Sequence, residues 1–329
     1  MKKIKIAQIG TSKYSHGNLI WKTLLDNDNL FEVVGYALPE NEKIKFPEQV
    51  KAFEEYKEMS VEEIINNPDI DAVAVETEEI YLTKYALMVA KAGKHLHMEK
   101  PGGTNLDEFK ELVQILKEKN LAFSLGYMYR FNPTIKDAIK KIHEGKLGKI
   151  ISIEAQMNCK HNKETREWLN TFPGGMMFFL GCHLIDLIYQ IQGTPLEIIP
   201  LNCSTNIENV NSKDFGMVIY KYSEGVSFAK TSASERGGFL RRQLVITGEK
   251  GSIEIKPLEV DLGGIQYTIS HEYYDLDWHK EWDEHKSNLH HRYNDMIVNF
   301  YEIIRGKNNP YSYEYELELY KLLLKSCEY

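Results

Sequence analysis

The fold of this chain is decided near its start, by residues 4–17, IKIAQIGTSKYSHG. The three isoleucines before Gly10 predict a short buried strand, and a helical pattern follows over residues 19–25. Where a strand turns sharply into a helix, free backbone N–H groups and the helix dipole favour a bound anion. The stretch therefore predicts the opening of a doubly wound, nucleotide-binding α/β fold.

The alternation of strand and helix continues for about 125 residues. Ser60 and Glu63 have the spacing of a capping box, which predicts a helix over residues 61–66. Further buried strands are predicted over residues 31–37, 71–76, 95–98 and 121–126. This order is typical of a parallel sheet with helices on both faces. Residues 1–126 are therefore predicted to form a Rossmann dinucleotide-binding domain.

The pattern changes after residue 126. Alternating strands joined by tight turns, such as those over residues 215–222 and 226–232, indicate an antiparallel sheet. Residues 127–329 are predicted to form a C-terminal α/β domain for substrate binding and oligomerisation, with a large, mainly antiparallel open sheet. The polar, histidine-rich residues 271–291, with Trp278 and Trp282, are interpreted as a loop over the pocket.

Composition excludes several classes of protein. A net charge of −8 opposes binding to a phosphate backbone, so no nucleic-acid partner is expected. No run approaches the roughly 20 apolar residues of a membrane helix, so no membrane association is expected. The four cysteines form no CxxC pair, which favours reduced thiols in a cytoplasmic protein. The scattered Cys and His residues match no standard ligand spacing, so no metal site is predicted.

The first turn departs from the dinucleotide fingerprint G-x-G-x-x-G. Gly10 is in place, but Ser12 and Ser15 stand at the later glycine positions. Serine is small, and its hydroxyl can donate to a phosphate. A strand-to-helix turn without a ligand is the alternative. At the end of the second strand Leu38 stands where an acid usually binds the ribose, and Glu40 or Glu42 from the following loop is the candidate replacement. No arginine lies nearby for a 2′-phosphate, which favours NAD without excluding NADP.

Two further stretches carry residues suited to catalysis. Lys100, in Glu99-Lys100-Pro101, follows a predicted strand, and the carboxyl ends of parallel strands are where such folds bind ligands. His183 and Asp186 are three residues apart and share a helix face. Histidine suits proton transfer near neutral pH, and a carboxylate can fix its tautomer. A surface lysine and a buried structural histidine are the alternatives.

The order of these motifs resembles the Gfo/Idh/MocA family of sugar and inositol oxidoreductases. The resemblance rests on the Gly10 turn, on Glu99-Lys100-Pro101, on GYMYRFNP at residues 126–133, and on Gly174-Gly175 followed by Gly181-x-His183-x-x-Asp186. It spans nearly the whole chain. It implies a Rossmann domain, a second domain with a large open sheet, a homo-dimer or homo-tetramer, and a carbohydrate or cyclitol substrate.

The resemblance also implies roles for individual residues. Lys100, His183 and Asp186 would be catalytic. The cofactor-binding residues would be Gly10, Thr11, Ser12, Ser15, Leu38, Thr77, Glu99 and Lys100. The substrate-binding residues would be Tyr129, Arg130, Asn132, Arg166 and Trp168. Family members commonly carry Asp-x-Gly-x-His, but here Phe179 stands at the aspartate position.

Three functions remain open at this point. The first is NAD(P)-dependent oxidation of a secondary alcohol on a sugar, sugar acid or cyclitol. The second is a redox-neutral elimination, hydrolysis or epimerisation of a glycoside with tightly bound NAD, which the Phe179 departure makes more plausible. The third is a non-catalytic ligand-sensing relative, suggested by the altered fingerprint. Retention of both Lys100 and His183 argues against the third.

Overall fold

A computed structural model of the chain describes residues 2–274 and 283–329. The chain forms two compact units. The first unit contains Met1–Tyr127 and Tyr293–Tyr320, and the second contains Met128–Arg292 and Lys321–Tyr329. Each unit thus contains two stretches of chain. The sequence predicted two continuous domains, residues 1–126 and 127–329, and these domain boundaries stay a prediction.

The first unit is built on a five-stranded parallel sheet with the strand order β2-β1-β3-β4-β5. Its strands are β1 (Ile4–Ile9), β2 (Phe31–Ala37), β3 (Ala72–Val75), β4 (His95–Met98) and β5 (Phe123–Leu125). All four residues of β3 are completely buried, as a central strand covered on both faces requires. The predicted parallel Rossmann sheet is confirmed.

Helices connect these strands. They are α1 (Gly17–Asp26), α2 (Glu42–Lys45), α3 (Pro47–Val50), α4 (Val61–Asn66), α5 (Leu82–Lys91) and α6 (Leu106–Glu118). The predicted capping box is present at α4, where the Ser60 hydroxyl accepts from the Glu63 N–H and the Glu63 carboxylate accepts from the Ser60 N–H. Asn105 caps α6 in a similar way, with its side-chain oxygen accepting from two backbone N–H groups.

The second unit combines helices with a large sheet. Its helices are α7 (Pro133–His143), α8 (Lys163–Trp168) and α9 (Cys182–Gln192), and a π-helical turn, Met177–Gly181, leads directly into α9. The strands of the large sheet are β6 (Ile150–Asn158), β7 (Glu197–Cys203), β8 (Phe215–Tyr222), β9 (Gly225–Ser232), β10 (Gln243–Gly248), β11 (Ser252–Ile255), β14 (Ile269–Tyr273) and β15 (Asp283–Lys286). A small sheet contains β12 (Val260–Asp261), β13 (Ile265–Tyr267) and β16 (His290–His291).

The large sheet has eight strands in the order β15-β14-β11-β10-β6-β9-β8-β7. Every neighbouring pair is antiparallel except β6 and β9. The predicted α/β class, with a mainly antiparallel second sheet, is confirmed. The prediction of a loop over residues 271–291 is wrong where strands occur, because β14 and β15 pair as polar strands at the sheet edge; Trp278 and Trp282 lie outside the described residues.

The chain ends in two helices, α10 (Asn294–Ile304) and α11 (Tyr313–Ser326). In the first unit, the Phe300 ring lies 5.8 Å from the His97 ring, and the Tyr320 ring stacks 4.3 Å from Phe109. The Tyr320 hydroxyl also donates to the Gly103 carbonyl at 2.9 Å. Within the described part of the chain, no helix has both the length and the apolar sequence needed to cross a membrane.

Candidate active site

The turn after β1 requires a glycine. Gly10 has a φ of +89°, and a Cβ added there would lie 2.3 Å from the Thr77 side chain and 2.7 Å from its backbone nitrogen. A side chain at position 10 would therefore clash with the start of the segment after β3. The close approach brings Gly10 and Thr77, both predicted to bind the cofactor, into contact at the carboxyl edge of the sheet.

The two serines of the turn use their hydroxyls within the turn itself. Ser12 Oγ accepts from the N–H groups of Tyr14 and Ser15 at 2.9 and 3.1 Å. Ser15 Oγ accepts from the N–H groups of Ser12 and Gly17 at 3.1 and 3.2 Å. The serines therefore stabilise the turn by accepting from N–H groups that glycines in their place would leave for an anion.

A buried carboxyl completes this turn. Glu42, which is fully buried, accepts the Thr11 N–H at 3.1 Å. Burial raises the pKa of Glu42 to about 9, so the carboxyl is neutral at pH 7. The sequence suggested Glu42 only as a replacement for the ribose-binding acid at the end of β2, and its contact with the turn was not predicted.

The end of β2 lies beside a cavity of about 440 Å³ lined by residues that include Leu38, Met59, Lys84 and Tyr85. Glu40, two residues beyond Leu38, accepts hydrogen bonds from Lys84 Nζ at 2.5 Å and from the Tyr85 hydroxyl at 2.7 Å. These donors lower the pKa of Glu40, so its carboxylate is ionised at neutral pH. A negative charge thus lies close to the position where Leu38 replaces the usual acid.

Glu99 and Lys100 lie directly after β4, and both side chains are almost completely buried. Glu99 Oε1 accepts the Lys100 backbone N–H at 3.0 Å and lies 3.7 Å from Lys100 Nζ. Glu99 Oε2 lies 3.2 Å from His16 Nδ1. The alternative of a surface lysine is therefore wrong: Lys100 is an interior cation beside an interior carboxylate.

Three buried titratable groups near Glu99 were missed by the sequence reasoning. Glu76 ends the apolar run of β3, Glu79 follows in a 3₁₀ turn, and His97 occupies an interior position of β4, and all three are completely buried. His97 Nε2 lies 3.6 Å from Glu76 Oε1. The available signal was the charge itself, because an ionisable residue inside or at the end of a buried strand is uncommon.

In the second unit, Arg130 and Asp186 form a buried bidentate pair. Arg130 donates from Nε to both carboxylate oxygens at 3.0 and 3.1 Å, and from Nη2 at 2.8 Å. The Gln190 amide also donates to Asp186 at 2.9 Å. The carboxylate that was expected to orient His183 thus binds a guanidinium predicted to contact substrate; its role toward His183 stays a prediction.

His183 lies on α9 and is almost fully buried, with its ring edge-on to Tyr129 at 5.1 Å. The Tyr129 hydroxyl donates to Glu259 Oε1 at 2.6 Å. Two arginines bind the same carboxylate, Arg242 at 2.5 Å and Arg292 at 3.1 Å. We call Tyr129, Glu259, Arg242 and Arg292 the arginine cluster. Its last three members were not predicted, since they lie more than 110 residues from Tyr129 in sequence.

Asn132 and Arg166 have structural partners within the second unit. Asn132 caps α7 and donates to the Thr268 hydroxyl at 2.8 Å. Arg166 is completely buried, donates to the Ile207 carbonyl at 3.0 Å and to Asp214 at 3.3 Å, and pairs with Glu208. These partners hold the Arg166 guanidinium within the protein. The predicted contact of Arg166 with substrate gains no support from them and stays a prediction.

Phe179 lies among aromatic rings. Its ring is edge-on to Trp168 at 5.1 Å and stacked on Phe172 at 6.4 Å. The His161 ring lies 6.3 Å away, and burial lowers the pKa of His161, so this imidazole is neutral at pH 7. The position where the family commonly has an aspartate is therefore apolar, and Trp168 belongs to the same aromatic wall.

Comparison with known proteins identifies the two parts of the chain. Residues 4–127 match the model described as an oxidoreductase family with an NAD-binding Rossmann fold, and residues 135–254 match the GFO/IDH/MocA C-terminal domain. The uncharacterised oxidoreductase YhhX of Escherichia coli K12 is 29% identical over 58% of this chain and 54% of its own length.

Two other relatives have named activities. The scyllo-inositol 2-dehydrogenase (NADP⁺) IolW of Bacillus subtilis 168 is 25% identical over 68% of this chain and 62% of its own length. The solved levoglucosan dehydrogenase, in complex with NADH and levoglucosan, has a TM-score of 0.81 and 17% identity, with coverage of 99% of this chain and 98% of that one, which supports the shared fold. The sequence matches to YhhX and IolW thus cover less than two thirds of the length of each of those proteins. Since the two family models together match more than half of its residues, the chain belongs to the Gfo/Idh/MocA family.

Proposed function

We propose that this protein is an NAD(P)-dependent oxidoreductase that oxidises a secondary alcohol of a sugar, sugar acid or cyclitol. The observation that carries the proposal is the buried Lys100 ammonium at the carboxyl end of β4, beside Glu99. In open parallel sheets this edge is where ligands bind. The activities named for IolW and for levoglucosan dehydrogenase support a polyol or sugar substrate.

The path of the first turn fits a dinucleotide, although the Ser12 and Ser15 hydroxyls accept from several of its N–H groups. At Gly10 only a glycine is accommodated against Thr77, which allows the tight turn that leads from β1 toward the start of α1, where a phosphate would bind. We assign Gly10, Thr11, Ser12 and Ser15 to the phosphates. We assign Thr77, Glu99 and Lys100 to the nicotinamide end, and the cavity beside Leu38 to the adenosine end. Lys84 of that cavity is already paired with the ionised Glu40, and the described lining contains no arginine for a 2′-phosphate, which supports NAD over NADP without excluding NADP.

In the proposed reaction, side chains of the protein act on the hydroxyl group of the substrate. When bound, nicotinamide supplies the acceptor for the hydride that leaves the carbinol carbon. Lys100 polarises the hydroxyl oxygen and stabilises its developing negative charge. His183 accepts the hydroxyl proton as general base, and the carbon–oxygen bond becomes a carbonyl. Tyr129, Arg130, Asn132, Arg166 and Trp168 are proposed to contact the substrate. The cytoplasmic location and the homo-dimeric or homo-tetrameric state stay predictions.

Cofactor content is the first measurement. Freshly purified protein is denatured, released NAD or NADP is identified by mass spectrometry, and added cofactor is titrated by calorimetry. Polyols, sugars and sugar acids are then tested with each cofactor for a change in nicotinamide absorbance. Bound or titratable cofactor with turnover of one polyol supports the proposal. If no cofactor binds and no absorbance changes, the proposal is wrong and a ligand-sensing role takes its place.

The catalytic role of Lys100 can be tested by substitution, with Lys94 at the other end of β4 as the matched control. Lys94 is also buried, but its ammonium donates to the carbonyls of Asn67 and Ile70 at 2.6 and 2.9 Å, at the start of β4. We expect Lys100→Met to lower kcat about 10²- to 10³-fold, because it removes the charge facing the reacting oxygen. Lys94→Met lowers stability but leaves turnover of the folded protein unchanged. Equal losses in both variants would contradict the assignment.

A redox-neutral reaction with tightly held NAD is the second candidate function. The aromatic surroundings of Phe179 favour it, because the position lacks the carboxylate that family members commonly have there. This function predicts that NAD co-purifies with the protein and that a glycoside is converted without accumulation of NADH. Chromatographic analysis of products beside the absorbance assay distinguishes the two candidates.

A further inference from the structure

A continuous row of buried polar groups runs through the first unit behind Lys100. His97 Nε2 lies 3.6 Å from Glu76 Oε1. Glu76 and Glu99 directly follow Val75 and Met98, which are register partners on the parallel strands β3 and β4, so the two buried residues are neighbours across the sheet. Glu99 in turn lies 3.2 Å from His16 Nδ1 and 3.7 Å from Lys100 Nζ. The proposed function uses only Glu99 and Lys100 of this row, so Glu76 and His97 are left without an assigned role.

The surroundings of Glu76 and Glu99 determine which of the two carboxyl groups is protonated. As a carboxylate, Glu76 would receive no hydrogen bond at either oxygen from the described residues, and an ionised carboxylate in such a place is strongly disfavoured. As a carboxylic acid, Glu76 has an acceptor in Glu99. Burial and the nearby Glu99 charge raise the pKa of Glu76 well above its usual range. For Glu99, burial is outweighed by His16 and Lys100, and its pKa is lowered.

We propose that Glu76 is a neutral, proton-carrying positioning residue that donates a hydrogen bond to Glu99 and thereby holds the Glu99 carboxylate toward Lys100. The proposal rests on the proposed role of Lys100 in catalysis. A neutral donor on one side and a cation on the other fix the orientation of the Glu99 carboxylate. Glu76 thus stabilises the charged Glu99–Lys100 pair without adding a second negative charge to it.

The other groups around the pair are compatible with this arrangement. Burial lowers the pKa of His97 to about 4, so its imidazole is neutral, and its Nδ1 lies 3.4 Å from the Ser124 hydroxyl. From the 3₁₀ turn after β3, Glu79 faces Lys100, and burial raises its pKa to about 7; the neighbouring Glu78 adds a further negative charge. From α10 the Phe300 ring contributes no charge. From β1 the buried Gln8 amide donates to the Gly10 and Gly17 carbonyls.

Infrared spectroscopy detects the proposed proton without any cofactor or substrate. The full-length protein is compared with its Glu76→Gln variant above pH 8, where Glu79 is ionised according to its pKa of about 7. We expect the difference spectrum to contain the carbonyl stretch of one protonated buried carboxyl. The Glu79→Gln variant is the matched control and should lack this band in the same pH range. Absence of the band in the Glu76→Gln comparison overturns the proposal.

Turnover then tests positioning through rescue by a conservative variant. Glutamine is neutral and donates an N–H, so Glu76→Gln should retain most of the wild-type kcat. Glu76→Ala removes the donor and should lose about 10- to 100-fold in kcat, as expected for a hydrogen bond to a charged group. Thermal denaturation verifies that both variants fold. If Glu76→Gln loses as much as Glu76→Ala, the ionised form is the active one and the proposal is wrong. If no substrate is found, the proposed function falls separately, and the infrared result alone decides whether Glu76 carries the proton.

Discussion

The buried charges of the two units are balanced in different ways. Among the described residues of the first unit, buried carboxyls outnumber buried ammonium groups: the carboxyls belong to Glu42, Glu76, Glu79, Glu99 and Glu316, and the ammonium groups to Lys94 and Lys100. In the described part of the second unit, each buried carboxylate is paired with a buried arginine: Asp186 with Arg130, Asp214 with Arg166, and Glu259 with Arg242. An excess of buried acid is relieved by protonation, whereas a guanidinium keeps its charge at any ordinary pH.

This difference separates two kinds of pH dependence. In the first unit, the pKa values of Glu42 and Glu79 are raised to about 9 and about 7, so their protons are lost within the working range of most enzymes. In the second unit, the arginine cluster holds Glu259 by direct ion pairs. We therefore expect stability of the first unit to depend on pH and the arginine cluster to be insensitive to it.

The largest effect is expected from removing the central carboxylate of the arginine cluster. Glu259→Gln leaves the buried Arg242 and the half-buried Arg292 beside a neutral amide. Breaking a buried pair in this way costs about 3–5 kcal/mol. Chemical denaturation at neutral pH measures this loss. Glu197→Gln is the control, because Glu197 pairs with Lys221 on the exposed surface, where a pair contributes about 0.5 kcal/mol or less. Similar losses in the two variants would show that the cluster is not energetically coupled.

The next effect concerns the buried acid at the phosphate turn. Between pH 4.5 and about 9 the folded protein keeps the Glu42 proton and the unfolded chain has lost it. Because the unfolded state then binds fewer protons, the free energy of unfolding falls as pH rises, by about 1.4 kcal/mol per pH unit for one such group. We expect Glu42→Gln to make the slope of stability against pH shallower by this amount.

Glu40→Gln provides a control of opposite sign. The pKa of Glu40 is lowered by Lys84 and Tyr85, so its contribution is present above the unfolded pKa and is lost as pH falls through the folded pKa. The Glu40→Gln variant should be less stable at neutral pH without any flattening of the alkaline slope. If wild type and Glu42→Gln have the same slope, the Glu42 carboxyl does not hold its proton in the folded state.

The smallest effect is expected from removing an uncharged helix cap in each unit, which serves as a reference for the substitutions of buried charges. Asn105 caps α6 in the first unit and Asn162 caps α8 in the second, each through its side-chain oxygen. Replacing either by alanine should cost about 1 kcal/mol. The cost should be equal in the two units and the same at two pH values on either side of neutrality. A pH-dependent cost in one unit would mean that the difference between the units does not come from buried carboxyls alone.

Periodic elements were predictable because local sequence determines them. The bounds of β2, β4, β8 and α4 agree with the predicted ranges, since apolar alternation, short buried runs and the Ser60–Glu63 capping box are local signals. The strands β14 and β15 were missed because their mainly polar residues do not alternate with apolar ones; β15 is the edge strand of the sheet and β14 is its neighbour. Backbone pairing rather than side-chain pattern defines such strands.

The residues of the candidate site that could be predicted from sequence are those that directly follow a strand. Glu99 and Lys100 were placed correctly at the carboxyl edge because they directly follow a recognisable strand. The partners that determine protonation could not be predicted, because they come from distant parts of the chain: Glu259 meets Tyr129 across 130 residues. Glu76 adjoins β3, and its unusual position at the end of an all-apolar strand was the one local signal for a buried acid.

The π-helical turn Met177–Gly181 is a place before α9 where the chain can change its length by one residue. A π-turn contains one more residue than the α-helical turn that replaces it, so deletion of that residue would leave an α-helical turn and keep His183 on its present face. A deletion within α9 before His183 would instead rotate the histidine by about 100°. Variation in length among related chains should therefore fall within residues 177–181 rather than between them and His183.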